Sequence, residues 1–361
     1  MSSCRACGRS PLTRVLDLGE VPAADHFPAA GDPVTPAESG HPLAMDLCPA
    51  CGLAQLADDD TVTEEPRGVE PQALKDQAAA AVIRAEQAGW LRGTTVIEFG
   101  SPHGGTWIPL LTRRGFTELP PSGGSADTVL DSFGVMHEPD QAAAFRRRRA
   151  AVRPDGVLLL QFHSICTIVA DGQWNALRHG HFAYYSLTAL ETLLSGVGMS
   201  VATLWEFDLY GGTVLVAAVH GKVTPSAEVL RLRAAEQAVG ITAPDAYARL
   251  QQQAGSDIET LRSWLKSEVA AGRRVWAYGA ASRAVALFAR ASIGADLITA
   301  VADASPAKTG RRMPGTDIPI TTPEALVAAM PDQILLTVPD LLPEVRARFP
   351  ELDGRWKVDP T

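Results

Sequence analysis

A chain of 361 residues with 46% hydrophobic content can bury two or three cores, because a single core stops growing at about 250–300 residues. A net charge of −9 and a sequence pI near 5.4 exclude a nucleic-acid backbone as the main partner, since phosphates require a basic face. No apolar run approaches the roughly 18 residues of a membrane span, and the first residues lack a basic-then-apolar signal, so the expected protein is soluble, cytoplasmic and without a membrane partner.

Residues 1–57 hold four of the five cysteines as Cys4-Arg5-Ala6-Cys7-Gly8 and Cys48-Pro49-Ala50-Cys51-Gly52. Two Cys-x-x-Cys knuckles, each followed by glycine, supply four thiolates and backbone amides able to approach sulfur, the donor set of a structural zinc. Disulfides are the competing reading, disfavoured by the two-residue spacing and by a reducing compartment. Cys4, Cys7, Cys48 and Cys51 are therefore the expected Zn2+ ligands. With four thiolates there is no open position for chemistry.

Acidic residues with Pro66 and Gly68 make residues 58–70 a linker. Apolar and alanine positions at helical spacing follow over 71–90 and lead into the short apolar strand Thr95-Val96-Ile97-Glu98-Phe99-Gly100. Gly104, Gly105 and a helix-like stretch from Trp107 complete the strand-turn-helix of a nucleotide-type α/β fold, in which glycines let a cofactor approach the helix N-terminus. Residues 127–131 form the next strand, with His137 beyond its end. After a helix to about Val152, Pro154-Asp155-Gly156 reads as a turn into a strand over 157–162 that ends at His163. Ligands lie outside the carboxyl ends of parallel strands, which places Gly100, His137 and His163 around one crevice.

Residues 173–186 concentrate function: Arg178, His179, His181, Tyr184 and Tyr185 fall within eight positions of a chain with 20% charged and 6% aromatic residues. An extended segment puts His179 and His181 on one side, where an imidazole near neutrality can act as a general base. A helix is expected over 187–194, two strands about Gly211-Gly212 within 201–219, and a helical segment over 227–271. A second α/β unit then begins, with strands at 274–278, 297–302 and 334–338 and a helix over 282–290. It lacks a full Gly-x-Gly-x-x-Gly.

Together with Leu16-Asp17-Leu18-Gly19, Tyr278-Gly279-Ala280-Ala281-Ser282, Asp303-Ala304-Ser305-Pro306-Ala307-Lys308-Thr309-Gly310-Arg311 and Met313-Pro314-Gly315-Thr316-Asp317, these pieces resemble the three-domain C-methyltransferases that act on nucleotide-activated keto-deoxysugars in antibiotic pathways. The resemblance covers nearly the whole chain. It implies an α/β fold with a zinc-binding module and linker at 1–65, a truncated Rossmann-like methyltransferase core at 66–222 and a second Rossmann-like domain at 223–361. It further implies S-adenosylmethionine at Glu98, Gly100, Ser101, Gly105 and His137, and a small, nucleotide-linked keto substrate. His181 is the implied base, with His179, Tyr184, Tyr185 and His163 supporting it; Arg178, Asn175, Tyr210, Tyr278, Ser282 and Arg311 are expected to bind the substrate. The oligomeric state is left open.

The chain departs from that pattern. Gly180 stands where the family has glutamate, Arg178 where it often has tyrosine, and Ser101-Pro102-His103-Gly104 where it has Ser-Asn-Asp-Gly. Only 21 residues separate Gly105 from Asp127, too few for a second strand, its acidic ribose-binding residue and a third strand, and Glu118 is the one acid among them. Loss of a charge-assisted ribose hydrogen bond is expected to weaken cofactor binding by about 1.5–3 kcal/mol. Two alternatives follow: an enzyme on the same scaffold that works without the cofactor as an isomerase, dehydratase or cyclase, or a catalytically inactive scaffold partner.

Overall fold

The computed structural model describes residues 3–61, 70–122 and 124–358. The expected domain boundary at 65/66 and the linker's Pro66 and Gly68 lie outside the described residues. None of the helices among them is long and apolar enough to cross a membrane.

The leader is a small antiparallel sheet. Strand β1 (Thr13–Val21) pairs with β2 (His41–Leu47), which pairs with β3 (Ala54–Leu56). Along β1 Leu16, Leu18 and Val21 are buried and Arg14 and Asp17 exposed, the register shifting between Arg14 and Leu16 and again between Asp17 and Glu20.

The middle of the chain runs α1 (Gln72–Gln87), β4 (Thr95–Phe99), α2 (Ile108–Thr112), β5 (Thr117–Glu118), β6 (Ala126–Ser132), α3 (Gln141–Ala151), β7 (Val152–His163) and α4 (Ile165–Asp171). After the two-residue β8 (Ala183–Tyr184) come α5 (Leu187–Gly196), β9 (Met199–Phe207) and β10 (Thr213–His220). Its six-stranded sheet has the order β5-β4-β6-β7-β10-β9, with the first four strands parallel and β10 antiparallel between β7 and β9. Both faces are covered: Val157 and Leu159 pack toward α1 and α2, while Leu158 and Leu160 pack toward α3 and α5. That two-sided burial is why β7 reads as an unbroken apolar run.

Three expectations need correction here. A second strand does survive the shortening: β5 pairs with β4, Thr117 opposite Thr95, and carries Glu118 on an exposed edge. Pro154-Asp155-Gly156 does not end an element; it is a bulge within β7, where Ala126 pairs with Val152 but Thr128 with Val157. The helical segment 227–271 is two helices, α6 (Ala227–Val239) and α7 (Ala248–Ala270), parted at Gly240 and Pro244.

The carboxyl domain continues with β11 (Val275–Tyr278), α8 (Ser282–Arg290), β12 (Val301–Ala302), β13 (Ile320–Thr321), α9 (Pro323–Ala329), β14 (Gln333–Leu336), α10 (Leu342–Arg348) and β15 (Trp356–Val358). All five strands are parallel, in the order β13-β12-β11-β14-β15.

Two connections tie the leader to the other domains. β8, 130 positions downstream, adds a fourth strand to the leader sheet, with Ala54 opposite Tyr184. Glu38 meets Arg312 of the carboxyl domain in a buried two-pronged ion pair at 2.7 and 2.9 Å, and also accepts the Gly315 N–H. Burial alone would raise the Glu38 carboxyl, but these donors outweigh it and hold it below its usual range. Its stabilisation is therefore complete above the unfolded carboxyl pKa of about 4.3 and lost as acid titrates the folded group. Glu38→Ala leaves Arg312 buried and unpaired; denaturant melts at pH 7 should show a loss of about 3–5 kcal/mol, and the difference from the parent should shrink as the pH falls below 4.

Candidate active site

Two clusters of ligand-type side chains stand among the described residues, the first of which is structural. Sγ of Cys4 lies 3.6 Å from Sγ of Cys51, Sγ of Cys7 3.6 Å from Sγ of Cys48, and all four within 4.8 Å of one another. A tetrahedral zinc with Zn–S bonds near 2.3 Å would set its sulfurs about 3.8 Å apart. No cysteine is disulfide-bonded. The bare thiols conflict: hydrogen bonding with Cys51 pulls Cys4 down to about 5, and the same contact pushes Cys51 far up. A divalent cation removes that conflict, so the donor set fits zinc, held for structure.

The second cluster faces a cavity of about 340 Å³ between the two larger domains, within the range of small-molecule sites. Its floor is the turn after β4, Gly100 to Gly105, and its far wall is the start of α8 with Asp303 to Lys308. Gly134 brings the turn after β6 against the first glycine turn; a Cβ there would stand 2.7 Å from the Phe99 carbonyl. Beneath them the buried Arg148 donates to Asp131 at 2.7 Å, pairs with Glu138 and lies 4.3 Å from the centre of the Phe99 ring, fixing both strand ends.

Three imidazoles from three separate loops converge on this cavity. His103 Nε2 lies 3.3 Å from His181 Nε2, and the His137 ring centre is 4.5 Å from that of His181 and 4.7 Å from that of His103. His137 Nδ1 donates to the Gly180 carbonyl at 3.0 Å, which assigns its proton to Nδ1. Arg178 Nε donates to His181 Nε2 at 2.8 Å. Burial first, then Arg178 and the neighbouring imidazoles, hold His181 well below its usual pKa, so it is neutral at pH 7.

The leader holds this loop in place. Gly180, in the left-handed region at φ 76°, donates its N–H to Asp59 at 3.0 Å, and His179 Nε2 donates to the Pro42 carbonyl at 3.1 Å. The Tyr184 hydroxyl accepts the Arg178 N–H at 3.1 Å and donates to the Ala176 carbonyl at 3.2 Å. Ser186 then caps α5 through the Ala189 N–H.

Comparisons with known proteins fit this arrangement. Residues 4–64 match the family model described as "putative zinc binding domain", and residues 208–356 that of the C-methyltransferase C-terminal domain. The C-methyltransferase NovU of Streptomyces niveus is 26% identical over 403 aligned positions, covering 99% of this chain and 95% of NovU. The chain is thus similar to a C-methyltransferase over nearly its whole length. Because 403 positions exceed 361 residues by 42, at least that many fall opposite gaps in this chain. Among solved structures, the mitomycin 7-O-methyltransferase MmcR aligns with 40% of this chain and 53% of its own, at 18% identity and a TM-score of 0.33. Magnesium protoporphyrin IX methyltransferase from Synechocystis PCC 6803 aligns with 43% and 90%, at 14% identity and 0.30.

The cavity of this chain is lined by Glu98, Gly100, Ser101, Gly105, His137, His163, Asn175, Arg178, His181, Tyr184, Tyr210, Tyr278 and Ser282. Three expected site residues lie elsewhere. His179 and His181 do not share a side, because left-handed Gly180 breaks the extended run; His179 is buried against the leader. Tyr185 points opposite to Tyr184, packs between Phe145 and Phe162 and bonds to Gln141. Arg311 donates to the Phe27 carbonyl at 2.6 Å, as a clasp between domains. Within the cavity, Glu98 is spent on the Thr106 hydroxyl and the Trp107 N–H, so it shapes the glycine turn.

Sequence reasoning missed four cavity residues. His103 was legible as a departure from the family turn and as one of the five histidines within residues 103–181, but not as a named site residue. Arg283, which donates to Asn175 at 2.8 Å, and Lys308, which donates to the Ala280 carbonyl beside the Phe27 ring, carried no spacing signal. Glu70 enters from the start of α1, its carboxylate 2.8 Å from where a Cβ on Gly105 would stand.

Proposed function

We propose that this protein is an S-adenosylmethionine-dependent C-methyltransferase whose acceptor is a small keto compound, a nucleotide-activated keto-sugar or a related natural-product intermediate. The observation that carries this reading is a single cavity joining an open glycine turn, an imidazole cluster around His181 and a wall bearing Arg283, Lys308 and Arg348. Beside Gly100 and Gly104 a Cβ would meet nothing within 4 Å, so the turn's backbone is open to a bound adenosyl group. Gly100, Ser101, Gly105 and His137 are the residues assigned to hold it. Glu70, facing Gly105, supplies the carboxylate that Glu118 on its outer edge does not bring to the cavity.

When bound, S-adenosylmethionine supplies an electrophilic methyl group. His181 takes the proton from the carbon beside the keto group, and the Arg178 guanidinium holds the enolate oxygen. An acceptor oxygen that draws Arg178 off His181 raises the basicity of that imidazole as the carbonyl is engaged. The cationic far wall suits the phosphates of a nucleotide-linked acceptor. Tyr184 keeps Arg178 in place through its backbone N–H.

Incubation with methyl-deuterated S-adenosylmethionine and a panel of nucleotide-linked keto-deoxysugars should yield a product carrying the labelled methyl on carbon. A product of unchanged mass, or one short of a water, formed equally well without the cofactor would favour the cofactor-independent alternative.

A further inference from the structure

We infer that His103, His137 and His181 form a second metal site, for a divalent transition metal such as zinc, distinct from the four-cysteine centre and open to the cavity. Their donor nitrogens all lie within 4.8 Å of one another. The His103 Nε2 to His181 Nε2 separation of 3.3 Å matches that between two ligands of a tetrahedral ion with metal–nitrogen bonds of about 2.0–2.1 Å, which is about 3.3–3.4 Å. The rings approach edge to face, at 69° and 86° for the pairs involving His137, so their nitrogens converge while the rings do not stack.

The surroundings are those of a ligand set. The Nδ1–H of His137 is fixed on the Gly180 carbonyl, which leaves Nε2 with the lone pair, the arrangement that orients metal-binding histidines. All three rings line the cavity, so the fourth coordination position faces the substrate; in the cysteine centre all four positions are filled by protein.

Arg178 sets the charge requirement. Its Nε sits 2.8 Å from His181 Nε2 and must turn aside as the ion enters. A divalent ion beside a guanidinium calls for an anionic fourth ligand, either hydroxide or the enolate oxygen of the acceptor. The enolate assignment rests on the proposed methyltransferase reading; occupancy of the site does not. In the metal-loaded protein His181 would be a ligand in place of the free base of the metal-free reading, and the carbon-bound proton would pass to metal-bound hydroxide, which leaves as water. The C–H electron pair forms the enolate on the metal. The enolate carbon then takes the methyl from S-adenosylmethionine, whose sulfur keeps the S–C electron pair.

Metal analysis of the full chain, after dialysis against a weak chelator, tests the site. Two zinc ions per chain are expected in the parent and one in His103→Ala, with both proteins melting cooperatively. Cobalt added to one-zinc protein should give the visible bands of a nitrogen and oxygen tetrahedral site without sulfur-to-cobalt charge transfer, and His103→Ala should abolish them. One zinc per chain in both proteins, with no cobalt bands in the parent, would overturn the inference and leave the cluster a metal-free imidazole relay. Two zinc ions without any methyl transfer would sink the methyltransferase reading while sparing the site.

Discussion

Cys48→Ser is expected to release the zinc and dismantle the cavity some distance away. Cys48 is fully buried at the end of β2, and its backbone N–H closes the knuckle onto Leu53. Binding of a structural zinc contributes about 10–16 kcal/mol of folding free energy, comparable to or larger than the 5–15 kcal/mol net stability of a typical domain. Losing a thiolate should therefore unfold the leader sheet. β3 then no longer pairs with β8, and the contacts from Asp59 to Gly180 and from Pro42 to His179 are lost with it. Hydrogen exchange should show loss of protection in residues 54–57 and 179–185 together, alongside loss of one zinc and of turnover. Zinc loss with the 179–185 loop still protected would break the proposed link between leader and site.

His181→Gln is expected to lower turnover by about 10²–10⁴-fold while leaving cofactor affinity within a few-fold of the parent, because the removed group acts on the acceptor. His179→Ala provides the contrast. Its imidazole holds the Pro42 carbonyl and does not line the site cavity, so its loss should cost about 1–3 kcal/mol of stability and leave turnover of the folded protein nearly unchanged. Single-turnover kinetics and thermal melts on both variants separate the two roles. Equal losses of turnover would mean that the loop acts as a unit and that His181 has no special place in it.

What could be read beforehand divides along physical lines. The cysteine knuckles, the β4 glycine turn and the apolar strands are local patterns, and local patterns survive translation into structure. The pairing of β3 with β8 spans some 130 positions and rests on two residues, so nothing in its neighbourhood announces it. Tyr184 and Tyr185 are chemically alike, and only the alternation of strand β8 decides that one faces the cavity and the other the core. His179 and His181 are separated by the backbone of one glycine. His103 meets His181 across 78 positions because the turns after β4 and β6 both lie under the loop that β8 anchors. The weak β5 edge shows the limit from the other side: its two residues were too short to register, yet they keep the sheet order intact.

Methyl transfer at this cavity requires that the shortened core still bind S-adenosylmethionine. Titration of the purified chain with S-adenosylmethionine and S-adenosylhomocysteine in a calorimeter should give saturable heat with a Kd at or below about 100 μM, within the usual range for an enzyme's substrates. Glu70→Gln should weaken it about 10-fold, the loss of one charge-assisted hydrogen bond. No heat from either compound at concentrations able to detect that affinity would contradict the assignment.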